Sequence, residues 1–166
     1  MLALALVLAG LASAANGSAA ADMLRPPRSS VPTPLPGVVV PAPDTPAGAC
    51  YALATARFAE LTPFWAVQLC GGAKTAEAPV ECFGQAKSGT DLTAFGRTLL
   101  CSGASSAEAP VACYLKSAQL PDLAAAGRVN LCSAAATSEG PVACYRVQRA
   151  KPELNAFTRV KLCARL

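Results

Sequence analysis

Residues 106–132, SAEAPVACYLKSAQLPDLAAAGRVNLC, carry the pattern that decides the fold. Ser106, Glu108 and Pro110 lead into Cys113 and Tyr114, and Leu131 and Cys132 close the stretch, the second cysteine standing 19 positions after the first. The arrangement returns from Thr75 to Cys101 and from Thr137 to Cys163, and a worn copy ends at Cys70. First cysteines stand at Cys50, Cys82, Cys113 and Cys144, in steps of 32, 31 and 31 residues; the second cysteines are Cys70, Cys101, Cys132 and Cys163. Such a period arises when one supersecondary unit cannot bury its apolar face alone and stacks on its neighbours.

The composition of each copy predicts two short helices. Thr75, Ser106 and Thr137 supply hydroxyl caps, Glu77, Glu108 and Glu139 face the helix dipole, and Pro79, Pro110 and Pro141 occupy a first turn where a missing N–H costs nothing. An aromatic follows each first cysteine (Tyr51, Phe83, Tyr114, Tyr145), which reads as a packing position with any phenol at the surface. A second helix is predicted from four series. These are Leu61, Leu92, Leu123 and Leu154; Phe64, Phe95, Ala126 and Phe157; Val67, Thr98, Val129 and Val160; and the leucine before each second cysteine. Arg97, Arg128 and Arg159 recur beside this stripe, with stems covering core and guanidinium groups reaching water or a neighbouring repeat's carboxylates; an aligned anion-binding ladder is the competing reading. The fold class is therefore all-α: four tandem helical-hairpin repeats of about 31 residues, some eight short helices in all. In period and amphipathic pattern the repeat resembles helical-hairpin arrays of the Sel1-like and TPR-like kind, although their consensus residues are absent.

Eight cysteines, an even number without a C-x-x-C pair, read as a disulfide framework formed in an oxidising compartment. Two pairings are short enough. Bridging within each copy joins Cys50 to Cys70, Cys82 to Cys101, Cys113 to Cys132 and Cys144 to Cys163. Bridging between copies joins Cys70 to Cys82, Cys101 to Cys113 and Cys132 to Cys144, and leaves Cys50 and Cys163 single. Zinc would want ligands at closer spacing, and the chain has no histidine.

Three segments follow from composition: a signal peptide at 1–21, a proline-rich linker at 22–48, and a cysteine-rich domain at 49–166 with copies at 49–70, 75–101, 106–132 and 137–163. Leu2 to Ala14 is an apolar run too short for a membrane span of about 20 residues, and Ala12-Ser13-Ala14 fits a small-x-small cleavage site. No Lys or Arg stands beside Met1, and an uncleaved anchor reaching Ala21 is the competing reading. The linker holds eight of the fourteen prolines and is expected to be extended, with Val38-Val39-Val40 its only apolar run. Asn16-Gly17-Ser18 matches a glycosylation sequon. These features place the protein outside the cytosol, as a secreted protein of extracellular or periplasmic location.

The chemistry of catalysis is missing from this composition. There is no histidine for a nucleophile system, no phosphate-cradling glycine loop, and an acid pair would have to come from leftover carboxylates such as Glu60, Glu81, Asp91, Asp122 and Glu153. The chain is read as a non-enzymatic binding or structural surface module without cofactor or metal, whose partner is an extracellular protein or polysaccharide, with no specific nucleic-acid recognition. The alternative is a secreted cationic effector, toxin or inhibitor with weak anionic-surface binding, because residues 139–166 hold six basic residues against two acidic ones. Candidate partner-binding residues lie where the copies differ: Phe58 and the sole tryptophan, Trp65, in the first, and Arg146, Arg149, Lys151 and Arg159 in the last.

Overall fold

The computed structural model describes Gly37, residues 39–164 and Leu166. The apolar run read as a signal peptide, the Asn16 sequon, most of the segment read as a linker, and Arg165 lie outside the described residues. Within them are eight α-helices and no strand: α1 (Pro46–Arg57), α2 (Pro63–Cys70), α3 (Glu77–Gly89), α4 (Ala94–Cys101), α5 (Ala109–Ser117), α6 (Ala125–Cys132), α7 (Gly140–Arg149) and α8 (Ala156–Cys163).

Consecutive helices form four pairs, each closed by one bridge: Cys50–Cys70, Cys82–Cys101, Cys113–Cys132 and Cys144–Cys163. The pairing is thus the one within each copy, and no cysteine is left free. Helices α1, α3, α5 and α7 pack side by side in one layer and α2, α4, α6 and α8 in the other, each pair touching only its neighbours. Helices of eight to thirteen residues are too short to hold alone, so tertiary packing and the bridges carry the fold.

Helix-start chemistry is present but displaced. The Thr75, Ser106 and Thr137 hydroxyls accept from the amides of Ala78, Ala109 and Gly140 at 3.3, 3.1 and 3.0 Å, while the regular helix opens only at Glu77, Ala109 and Gly140. The three prolines are completely buried, so they serve the core as well as the first turn. The first copy also has a cap. Thr45 accepts from Gly48 N at 3.0 Å, and Pro46 opens α1 where proline density had suggested linker.

The second helices are shorter than expected and turned differently. They begin after caps at Thr62, Thr93 and Asn155, whose side chains accept from the third helical amide, so the Leu61, Leu92, Leu123 and Leu154 series lies just outside each helix. Leu61 and Leu123 are still buried, tucked beneath the helix start. The Phe64, Phe95 and Phe157 series does not face a partner helix: these rings are 43, 50 and 68% exposed. An eight-residue helix has room for one inward stripe, and Val67, Thr98, Val129 and Val160, with Leu69, Leu100 and Leu131, occupy it.

The second helices α4 and α6 end by reaching back. Gly103 and Ala134 take positive φ (63° and 52°), which points their N–H groups at the Leu69 and Leu100 carbonyls of the preceding pair, at 2.9 and 3.1 Å. The hydroxyls of Ser102 and Ser133 donate beside them to Gln68 and Leu99. At Gly103 a Cβ would stand 2.8 Å from the Gly71 carbonyl oxygen, so glycine is required; Ala134 bears the strain with a side chain.

The linker's last residues cover the first pair. Val40 packs against the core, and Thr45 N bonds to the Ala42 carbonyl at 3.1 Å. Gly48 stands where the other copies have Val80, Val111 and Val142, because a Cβ there would lie 1.9 Å from the Ala42 oxygen. Gly48→Val should expel residues 39–44 and cost about 1–3 kcal/mol by overpacking. Limited proteolysis and a thermal melt would show it, and unchanged protection with an unchanged melting point would refute it.

Candidate functional site

One polar ladder joins the pairs. An acidic residue stands just before each displaced leucine (Glu60, Asp91, Asp122, Glu153), and the first three reach the pair that follows. Asp91 accepts from the Tyr114 hydroxyl at 3.4 Å, and Asp122 from the Tyr145 hydroxyl at 3.1 Å and Arg159 Nη1 at 3.3 Å. Glu60 meets Phe83 in place of a tyrosine and pairs instead with Lys87 (2.7 Å) and Arg97 (3.9 Å). The Lys87 hydrogen bond, the backbone and the two cations hold its carboxyl below the ordinary range. The guanidinium groups of Arg97 and Arg128 lie over the rings of Phe83 and Tyr114, 5.1 and 4.8 Å from the centroids.

The phenols of Tyr114 and Tyr145 therefore meet aspartates, not the surface the sequence had suggested. Burial above all, with the neighbouring carboxylate, raises both above the ordinary phenol value. The signal was an acid-leucine dipeptide at one register in every copy, present in the sequence but absorbed into turn composition. With its bridges, prolines and acids committed in this way, the shared part of each copy is occupied by folding.

The candidate binding residues divide. Phe58 is only 6% exposed and packs on Phe83 with ring centroids 4.7 Å apart, flanked by Arg57 and Lys87, so it belongs to the core and presents nothing to a partner. Trp65 is half-buried on the α2 surface, with its ring 4.8 Å from Phe64 and 4.9 Å from Phe95, both edge-on. In the basic cluster, Arg149 and Arg159 both bind Asp122 at 3.3 Å, Arg159 also donates to the Lys151 carbonyl, and Arg146 donates to Gln119 at 2.8 Å. The cluster thus works largely as internal ties; Lys151 alone of the four projects into solvent without a partner among the described residues.

The surface of the second helices combines three properties. First, no Asp or Glu occurs in α2, α4, α6 or α8. Second, aromatic rings at one register stand outward: Phe64, Phe95 and Phe157, with Ala126 in the third place. Third, Lys161 lies at its far end with its ammonium 5.4 Å over the Phe157 ring. Ala126, small where its counterparts are aromatic, opens an apolar groove of about 330 Å³ between α4 and α6, floored by Leu92, Leu99 and Val129. A second depression, lined by Asn130, Phe157 and Lys161, continues it towards α8.

Among the described residues no group of three or more Cys, Asp or Glu is placed to hold a metal ion, and no helix is long and apolar enough to cross a membrane. Comparison with protein-family models, curated proteins and solved structures finds no match for the chain.

Proposed function

We propose that the protein is a secreted, disulfide-stapled helical repeat module that acts by binding, not by catalysis, through the carboxylate-free aromatic surface of its second helices. The supporting observation is what remains after folding has been accounted for. Bridges, buried prolines and the acid-tyrosine-arginine ladder use up the residues the copies share, whereas Phe64, Phe95 and Phe157 stay exposed at the surface, where their rings meet Trp65 and Lys161. The period of the cysteines supports the repeat reading, and four bridges with an apolar leader support export.

The reading is tested by capture on the immobilised, oxidised chain from native extracellular material, soluble and particulate fractions alike. The Trp65→Ala and Phe95→Ala variants should each retain about tenfold less of the captured component, as expected for an aromatic anchor at an interface. Equal retention by wild type and both variants would refute it.

The net positive charge of residues 139–166 favours a second reading, a cationic effector acting on membranes or anionic polymers through the last copy. It requires salt-sensitive retention on heparin that disappears when Arg146, Arg149, Lys151 and Arg159 are neutralised.

A further inference from the structure

We infer that the aromatic surface of the second helices docks on an anionic lipid bilayer; this rests on the binding reading above and names its partner. The surface is long and shallow. Four helices side by side at roughly 8–10 Å spacing extend it over about 30 Å, and exposed rings stand along it at Phe64, Phe95 and Phe157. Neighbouring rings meet at 75° and 63°, so Phe64, Trp65 and Phe95 offer no common plane for stacking a sugar, but they do offer apolar edges to an acyl boundary.

Charge decides the lipid. No carboxylate lies within any of the four helices, the acids that precede them, Glu60 and Asp122, are paired with Lys or Arg, Lys161 sits over Phe157, and the net positive last copy lies at the end of the surface. Amphipathic surfaces that pair exposed aromatics with Lys or Arg insert at the headgroup level of anionic membranes. Leu162, 55% exposed beside Lys161, adds apolar area at the same end.

Trp65 is the only tryptophan, so its fluorescence reports the contact directly. The full oxidised chain would be titrated with vesicles of neutral phosphatidylcholine and with vesicles containing phosphatidylglycerol. The expected result is co-sedimentation with the anionic vesicles alone, a blue shift of Trp65 emission, and quenching by brominated acyl chains. Phe157→Ser should weaken binding about tenfold, and Lys161→Glu at least about fivefold, the effect of one basic residue near an anionic surface. Both sites are exposed, and an unchanged far-UV spectrum verifies the fold of each variant. Absence of a Trp65 shift on anionic vesicles overturns the proposal. So does vesicle binding that ignores Phe157→Ser and follows only Arg149 and Lys151. If vesicles fail while Trp65-dependent capture of a soluble protein persists, the bilayer is the wrong partner and the binding reading stands; if both fail, both readings fall.

Discussion

Reducing all four bridges without denaturant is expected to abolish the helical far-UV signal. Each bridge closes a loop of 19 or 20 residues, for which the chain-entropy estimate is about 3 kcal/mol through the unfolded state. Four such terms approach about 12 kcal/mol, comparable to the whole stability of an ordinary domain at about 5–15 kcal/mol. The rest of the core cannot replace them, because its second helices are eight residues long and much of its buried surface is alanine, valine and cysteine. Reduction should also be ordered. Seven of the eight cysteines are fully buried and Cys144 is not, so Cys144–Cys163 opens first, which pulsed alkylation and mass spectrometry would detect. A spectrum and melting point unchanged by complete reduction would show that packing alone suffices.

The second large effect is a contrast between two identical substitutions. Leu100 and Leu162 each precede the second cysteine of their copy, yet Leu100 is fully buried and Leu162 is 55% exposed. Leu100→Ala leaves a cavity between pairs and should cost about 2–5 kcal/mol, a fall of roughly 10 °C in the melting temperature. Leu162→Ala removes atoms already in water and should stay within about 0.5 kcal/mol. Thermal melts of the two variants under the same conditions provide the measurement. Equal losses would mean that Leu162 is covered in solution, by another molecule or another segment of chain.

That contrast shows where sequence reading stops. The register of Leu69, Leu100, Leu131 and Leu162 is identical, and only the presence of a following pair separates the first three from the last. The same limit applies to Phe64, Phe95 and Phe157. Spacing marked them as apolar at helical period, but whether a ring points in or out depends on where the helix starts, and caps at Thr62, Thr93 and Asn155 shift that start past the leucine. Phe58 and Trp65 were alike as aromatics of the atypical copy; packing against Phe83 took one inside, and contact with Phe95 kept the other at the surface. The basic residues of the last copy were countable in the sequence, whereas the sharing of Asp122 between Arg149 and Arg159 depends on two pairs being brought together.

The amino-acid sequence by itself determined the local and short-range features: helical content, the cysteine register, proline at the helix starts and the hydroxyl caps. These follow from backbone dihedral preference and from loop closure over 19 or 20 residues, which one copy contains complete. Only the tertiary structure decided the acid-tyrosine ladder, the seating of Ala42 over Gly48 and the outward row of phenylalanines. The ladder depends on the position of one helix pair against the next, and no segment shorter than two copies holds both halves of such a contact; the Ala42 seating and the phenylalanine row depend on where each short helix starts and which face it then turns inward.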